Sequence, residues 1–230
     1  MKLNVNGVNI SYEIHGKAGA PWLVLSHSLA CSVRMWDEQI EAFKGSHRIL
    51  AFDTRGHGAS DAPSGAYTLE MLADDAKAVL DKEGITRCHW AGLSMGGMIG
   101  QVFALKYPGV LQTLTLADTT SRYPADAAGI WADRIKLAQD KGMEPLVEPT
   151  LQRWFTEPYR QKKPQRLADI ANLIRTTPVA GYAGCCLAIP KINVTDRLKE
   201  IRCPILVIVG EQDMGTPPAM AKEIHDHAPG

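Results

Sequence analysis

Short, continuous apolar runs alternate along this chain with segments in which apolar residues recur at helical spacing. The runs have the length of single strands and lie at 22–26, 48–52, 88–92, 111–117 and 204–209. Segments with helical spacing lie at 36–43, 68–82 and 95–106. Strands without a polar face are typical of parallel sheets that are covered on both sides. The pattern therefore predicts an α/β fold with a mostly parallel, doubly wound sheet that binds ligands beyond the carboxyl ends of its strands.

The chain departs from this alternation at two places. At the N-terminus, 3–5 and 8–15 flank Asn6-Gly7, a favoured two-residue turn, and predict a β-hairpin. Between 121 and 198 there is no buried-strand run, and aromatic residues lie on helix-like segments interrupted by prolines. We therefore expect three parts. They are the first part of the α/β core at 1–120, an inserted helical lid at 121–198, and the second part of the core at 199–230.

Composition narrows the class of partner. Lys and Arg together number 25, as do Asp and Glu, so the net charge is zero and no basic stripe suggests nucleic acid or a membrane surface. The apolar runs are too short to span a membrane, and the N-terminus lacks the apolar core of a signal peptide. Five cysteines without metal-ligand spacing fit a reducing cytoplasm. We expect a cytoplasmic protein without a metal site that binds neither nucleic acid nor a membrane.

Residues 92–96 read Gly-Leu-Ser-Met-Gly and fit the G-x-S-x-G pattern of a nucleophile elbow. They follow an apolar run and precede a helical pattern, which is the context that the elbow requires. Glycines two residues before and after Ser94 leave room for a sharp turn that exposes the hydroxyl at the carboxyl edge of the sheet. The start of the following helix directs backbone N–H groups towards a developing oxyanion. The pattern predicts that Ser94 is a catalytic nucleophile.

Together with other segments, this motif resembles the α/β-hydrolases, and in particular the 3-oxoadipate enol-lactonases of the β-ketoadipate route of aromatic degradation. The segments that carry the resemblance are 26–29 (SHSL), 34–37 (RMWD), 53–58 (DTRGHG), 92–97 (GLSMGG), 116–120 (LADTT), 131–135 (WADRI) and 153–156 (RWFT). They are spread over essentially the whole chain. The core segments specify only the superfamily, and the lid segments would also suit carboxylesterases. The resemblance implies hydrolysis of a small-molecule carboxylic ester or lactone through an acyl-enzyme on serine, without a cofactor.

The resemblance also implies roles for two loops. The loop that contains 26–29 and the turn after Ser94 would supply the backbone N–H groups of Leu29 and Met95 as an oxyanion hole. Residues 53–60 would fix a loop beside the pocket through their charged side chains and glycines, without acting in the reaction.

A carboxylate at the same edge of the sheet as Ser94 would orient a catalytic histidine and stabilise its protonated form. Asp213 follows the apolar run at 204–209, and Asp118 follows the run at 111–117. We favour Asp213, because a Gly-x-x-Asp pattern before a proline-initiated helix is the commoner arrangement in hydrolases with lids. Asp118 stays open as the alternative.

The substrate of the lactonases carries a free carboxylate, so a protein without net charge needs a local cation in its pocket. An arginine of the lid could bind that carboxylate with two parallel hydrogen bonds. Arg134 is the residue that we choose, with Trp131 and Trp154 as candidate apolar walls.

A serine nucleophile needs a general base, and none of the seven histidines is suitably placed. His225 and His227 follow Asp213 closely, on a helix that leads the chain away from the site. Because the family has a further strand, a histidine loop and a closing helix, we expect a truncated chain that is inactive or impaired as it stands. The strand at 204–209 would then be a sheet edge, open to a complementing C-terminal segment or a second copy of the chain.

Two further hypotheses follow from the same residues. Another carboxylesterase or a perhydrolase could use the same nucleophile and scaffold. A non-catalytic ligand-binding protein could use the pocket without turnover, and the lack of a placed histidine makes this a serious alternative.

Overall fold

The computed structural model describes residues 1–124 and 127–228, and its centre is a seven-stranded sheet. The strands are β1 (Lys2–Val5), β2 (Val8–Gly16), β3 (Trp22–Ser26), β4 (Arg48–Phe52), β5 (Cys88–Leu93), β6 (Leu111–Ala117) and β7 (Ile205–Ile208). Their order across the sheet is β1-β2-β4-β3-β5-β6-β7. β2 pairs antiparallel with β1 and β4, and the five strands from β4 to β7 are parallel. The predicted α/β fold with a mostly parallel sheet is confirmed.

Helices flank the sheet and fill the connection between β6 and β7. Those that flank the sheet are α1 (Asp37–Phe43), α2 (Leu69–Lys82), α3 (Met95–Lys106) and α9 (Pro218–His227). Those between β6 and β7 are α4 (Ala127–Lys141), α5 (Glu144–Trp154), α6 (Glu157–Lys162), α7 (Pro164–Thr176) and α8 (Val179–Ala188). Short 3-10 helices span Val33–Trp36, Ile189–Lys191 and Thr195–Glu200. Across the described part of the chain, no helix has the length and apolar character needed to cross a membrane.

The N-terminal hairpin forms at the predicted turn. Asn6 and Gly7 have φ values of 49° and 79°, the left-handed conformation that a tight turn between twisted strands requires at both central positions. The Asn6 side chain also donates a hydrogen bond to Asp75 Oδ1 at 2.9 Å. Because Asp75 forms a buried ion pair with Arg55, the turn is tied to the loop that follows β4.

The two faces of the sheet are covered as the apolar runs predict. On one face Trp90 of β5 packs against Phe52 and Phe103, with ring centroids 6.1 Å and 5.2 Å away. On the other face a smaller cluster joins β3 and β4 to α1 and the 3-10 helix before it; it contains Leu25, Val33, Trp36, Ile40, Ile49 and Ala51. Two-sided burial explains why β3 and β4 carry hardly any polar residue.

β7 is an edge strand, and its two faces are covered unequally. Ile205 and Val207 pack against the core, whereas Leu206 and Ile208 are 56% and 49% exposed. Among the described residues, no strand pairs with its outer side. Its carboxyl end nevertheless lies in register with β6, because Ala117 pairs with Ile208. The loop after β7 therefore starts beside the end of β6.

The helical region between β6 and β7 rests on the core through α8. A Cβ atom added to Gly181 would lie 2.0 Å from the backbone oxygen of Gly56, so the two backbones are in direct contact. The N–H of Tyr67 donates to the Gly184 oxygen at 3.2 Å. From α7, Arg166 Nη2 donates to the backbone oxygen of Met35 at 3.0 Å. These contacts hold the helices at the carboxyl end of the sheet.

Candidate active site

Ser94 occupies the sharp turn between β5 and α3. Its φ of 51° and ψ of −113° lie outside the regions that an ordinary residue adopts, and neighbouring hydrogen bonds hold it there. The Ser94 N–H donates to the Ala117 oxygen at 2.9 Å, and the Gly97 and Met98 N–H groups donate to the Ser94 oxygen at 2.9 and 3.1 Å. The serine is thus fixed at the start of α3, beside the end of β6.

The two glycines of the motif are required by close backbone contacts. A Cβ atom on Gly92 would lie 2.2 Å from the backbone oxygen of Gly96. A Cβ atom on Gly96 would lie 2.0 Å from the backbone oxygen of Ser26 in β3. Both distances are far below van der Waals contact, so the glycine spacing follows from how closely α3 passes over β3 and β5.

Two backbone N–H groups near the serine are free to bind an oxyanion. Ser28 N–H donates to Met35 Sδ and Ala30 N–H donates to His57 Nε2 at 3.0 Å. Between them, Leu29 N–H donates no hydrogen bond within residues 1–124 and 127–228, nor does Met95 N–H at the first residue of α3. Both N–H groups are therefore available as donors. Their assignment as the oxyanion hole stays a prediction.

Both candidate acids lie at this edge of the sheet. Asp118 directly follows Ala117, which pairs with Leu93, so it is the neighbour of Ser94 on the adjacent strand. Asp213 lies in the loop after β7 and accepts three hydrogen bonds, from Gly215 N–H (2.7 Å), Thr216 N–H (3.1 Å) and Thr216 Oγ1 (2.8 Å). Burial raises the pKa of the Asp118 carboxyl; the N–H of Gly210 opposes the rise, and the neighbouring Asp213 adds to it.

A cavity of about 920 Å³ joins these groups to the helical region. Its lining includes Ser28, Leu29, Ser94, Asp118 and Asp213 from the core, and Trp131, Arg134, Arg153 and Trp154 from α4 and α5. The predicted nucleophile, acid, cation and apolar walls therefore share one cavity. Met95 is not among the lining residues, and its side chain is buried in the core.

Arg153 lines the cavity together with Arg134, and the sequence analysis did not select it as a candidate cation. The guanidinium of Arg134 lies 4.7 Å from the ring centroid of Trp131. Burial and the charge of Arg134 lower the pKa of Arg153. Neither arginine forms a salt bridge within the part of the chain that is described. Arg153 immediately precedes Trp154 in the segment 153–156, which carries part of the resemblance. This position is the sequence feature that could have indicated Arg153 as a residue of the cavity.

None of the seven histidines lines the cavity among the described residues, which include all seven. His15 pairs with Glu13, and His47 and His89 pack edge to face with ring centroids 6.0 Å apart. His225 and His227 lie on α9, where His227 bonds its own helix. The lining of the cavity, within the described part of the chain, thus includes no histidine beside Ser94.

His27 and His57 are buried and hold the loops after β3 and β4 together. Nε2 of His27 accepts a hydrogen bond from Thr54 N–H at 2.9 Å, and Nε2 of His57 accepts one from Ala30 N–H at 3.0 Å. Each Nδ1 faces a backbone oxygen, so both rings are neutral with the proton on Nδ1. Burial lowers the pKa of His27 and lowers that of His57 to about 3.

We expect the stability of the protein to fall between pH 7.5 and pH 5 because His57 stays neutral in the fold while it is protonated in the unfolded chain. A folded pKa of about 3 against 6.5 gives full stabilisation above pH 6.5 and a loss of about 2 kcal/mol at pH 5. His57→Gln removes this titrating group and should show a shallower pH dependence in urea unfolding. His225→Gln, an exposed control on α9, should match the wild-type slope; equal slopes for all three proteins would contradict the argument.

The loop at 53–60 has the structural role that the sequence predicts. The Asp53 carboxylate accepts hydrogen bonds from Val33 N–H at 2.8 Å and Ala59 N–H at 2.9 Å. Gly58 is needed there, because a Cβ atom would lie 2.2 Å from Asp53 Cγ and φ is 53°. Asp53 thus joins the end of β4 to the 3-10 helix Val33–Trp36, which follows the loop after β3.

Comparisons with known proteins agree with this architecture. The family model described as the alpha/beta hydrolase fold matches residues 21–230. The enol-lactonase from Burkholderia xenovorans LB400 superimposes with a TM-score of 0.95 at 36% identity, covering 99% of this chain and 88% of that one. A thermophilic esterase from Thermogutta terrifontis superimposes with a TM-score of 0.91 at 28% identity, covering 99% and 85%. The 3-oxoadipate enol-lactonase 2 of Acinetobacter baylyi is 32% identical over 98% of this chain and 84% of its own length. The chain therefore belongs to the α/β-hydrolase family and, across nearly all of its length, is similar to 3-oxoadipate enol-lactonases.

Proposed function

We propose that the protein is a serine hydrolase that cleaves a carboxylic ester or lactone through an acyl-enzyme on Ser94. The observation that carries the proposal is the strained Ser94 turn at one side of a large cavity, with free N–H groups at Leu29 and at the start of α3. In the proposed reaction, Ser94 Oγ attacks the carbonyl carbon, and its proton passes through water to the alcohol or enol oxygen whose bond to that carbon breaks. The N–H groups of Leu29 and Met95 stabilise the oxyanion, the alcohol or enol leaves, and water then hydrolyses the ester on Ser94.

We propose an anionic lactone as the substrate, and specifically 3-oxoadipate enol-lactone of cytoplasmic aromatic degradation. Arg134 would bind the carboxylate, Arg153 adds a second unpaired cation, and Trp131 and Trp154 would cover the apolar ring. The similarity to 3-oxoadipate enol-lactonases supports this choice. The related Thermogutta esterase was solved with malate bound, another small carboxylate.

The proton acceptor is the weak point of the proposed reaction. Asp213 is suited to orient a histidine, but the described residues place none in the cavity. We propose that these 230 residues therefore acylate slowly by themselves, since an unactivated serine hydroxyl is a poor nucleophile.

Replacing Arg134 by alanine should weaken binding of the anionic lactone and of its product, 3-oxoadipate, while leaving a neutral ester of similar size almost unaffected. Losing a charge-assisted hydrogen bond corresponds to about 1.5–3 kcal/mol, or roughly a 10- to 150-fold rise in KM or Kd. Steady-state kinetics give KM, and calorimetry with 3-oxoadipate gives Kd where turnover is too slow to measure.

The control for this experiment is Arg197→Ala, because Arg197 is exposed and pairs with Glu200 outside the cavity. Arg197→Ala should leave KM and Kd unchanged for both the anionic and the neutral substrate. Equal losses on the anionic and the neutral substrate in Arg134→Ala would show that Arg134 shapes the cavity and does not recognise a carboxylate.

A second candidate is a ligand-binding protein without turnover, and the histidine-free cavity favours it. Such a protein would bind 3-oxoadipate or the lactone and release the lactone unchanged. Other carboxylesterases and perhydrolases share the proposed nucleophile, so a panel of neutral esters, with and without peroxide, separates them from a lactonase.

A further inference from the structure

Asp118 and Asp213 come from strands far apart in the sequence but flank the same residue, Gly210. A Cβ atom added to Gly210 would lie 3.7 Å from Asp118 Oδ1 and 3.9 Å from Asp213 Cβ. Gly210 N–H donates to Asp118 Oδ1 at 2.8 Å, and Asp213 N–H donates to the Gly210 oxygen at 3.0 Å. Both side chains therefore pack against Gly210, one from the end of β6 and one from the loop after β7.

Hydrogen-bond donors are distributed unequally over this pair. Asp213 accepts three hydrogen bonds, two on Oδ1 and one on Oδ2, which stabilise its ionised form. Within the described residues, Asp118 accepts only the one from Gly210. Two adjacent carboxylates repel each other when both are ionised, so one proton is retained by the group with less stabilisation. Burial, together with the charge of Asp213, raises the pKa of Asp118, which agrees with this assignment.

The backbone holds Asp118 firmly in this position. Its φ is 44°, a left-handed conformation that a glycine would adopt without strain. Its N–H donates to the Ile208 oxygen at 2.9 Å, which fixes it between β6 and β7. An aspartate that occupies a strained position and sends its side chain to the loop of Asp213 has a role beyond forming the turn.

We propose that Asp118 and Asp213 share one proton, with Asp118 as the donor and Asp213 as the ionised acceptor, so that Asp118 is the positioning residue for the acid. The protonated Asp118 bridges Gly210 N–H and the Asp213 carboxylate. It thereby fixes the loop after β7 and disperses part of the charge on Asp213. The placement of the pair does not depend on the proposed hydrolysis; only the consequence for catalysis rests on it.

Other charged and titratable groups face the pair from three sides. Arg153 of α5 packs against the Asp213 loop, with Nε 4.0 Å from a Cβ position on Gly215. Tyr123, which follows β6, interacts electrostatically with Asp213, and Glu211 of the same loop lines the cavity. Arg153 stabilises negative charge on Asp213, which reinforces the unequal ionisation.

Carbonyl ¹³C NMR on protein labelled at aspartate tests this inference directly. In the wild type, one aspartate should titrate above the ordinary value of about 3.9. Asp118→Asn should remove that titration, because an amide does not ionise. The amide should still accept from Gly210 and donate permanently to Asp213. Asp213→Asn should lower the elevated titration towards the ordinary range. A wild type without an elevated aspartate, or an elevated titration that is unchanged in Asp213→Asn, would overturn the proposal.

One further variant, Asp118→Ala, tests the bridging geometry when it is compared with Asp118→Asn. Asp118→Asn should keep the wild-type amide chemical shift of Gly210, whereas Asp118→Ala should move it, because alanine offers no acceptor. A Gly210 shift that moves equally in both would overturn the bridging geometry. These readouts need no turnover, so a protein that hydrolyses none of the esters tested would contradict the proposed function and leave the shared proton standing.

Discussion

Replacing Ser94 by alanine should reduce covalent labelling by a serine-reactive phosphonate, which is slow in the wild type without a base, to the background rate. The phosphonate phosphorus occupies the place of the carbonyl carbon, and its oxygen requires the same N–H donors as the proposed oxyanion. No other hydroxyl of the cavity lies on a strained strand-to-helix turn in the described part of the chain. Intact-protein mass spectrometry measures the adduct, and peptide mapping places it on residues 92–98. Ester turnover above the buffer rate should disappear in the same variant.

Thr156→Ala is the matched control for this experiment, because Thr156 carries a hydroxyl that lines the same cavity on the connection from α5 to α6. Its labelling rate should stay within a few-fold of the wild-type rate. Labelling that persists in Ser94→Ala on another residue, for example Ser28, would show that the reactive hydroxyl is not at the elbow. Labelling of the wild type without any ester turnover would support the ligand-binding alternative.

The centre of the fold could be predicted from the sequence because buried strands require apolar residues, which are visible in the sequence. β3 and β4 are buried on both faces, so almost every residue must be apolar, and a run without alternation shows this. The elbow could be predicted equally well, since the backbone contacts of Gly92 and Gly96 tolerate no side chain and therefore require glycine. In both cases a local steric or solvent requirement leaves one or two possible residue types.

Features that depend on distant segments were harder to predict. Nothing near Asp118 or Asp213 in the sequence indicates that both flank Gly210, because that depends on the register of β7 against β6. Prolines were expected to interrupt helices, yet Pro149 lies inside α5, where burial of Leu146 and Leu151 stabilises the helix in spite of it. Tertiary packing overrides the local signal in such places.

Replacing Gly96 by alanine should destabilise the protein by more than about 4 kcal/mol and leave little folded material at 37 °C. The added methyl group would lie 2.0 Å from the backbone oxygen of Ser26 and 2.9 Å from its side-chain oxygen. Both belong to the last residue of β3, which pairs with β4 and β5 at the centre of the sheet, so the strand cannot move aside. Relief therefore requires α3 to lift away, which would expose Met98, Ile99 and Phe103. Urea unfolding followed by circular dichroism measures the change.

Gly129→Ala is the control that isolates this steric argument. Gly129 is also a helical glycine, near the start of α4, but a Cβ atom there meets nothing within 4 Å. Alanine should therefore stabilise the protein by about 0.5–1 kcal/mol, because glycine has the larger entropy to lose on folding. The same substitution would thus have opposite effects in two helices. Near-equal stabilities of Gly96→Ala and Gly129→Ala would mean that α3 can shift over β3, and the elbow geometry would then have to be sustained by the hydrogen bonds of Ser94 alone.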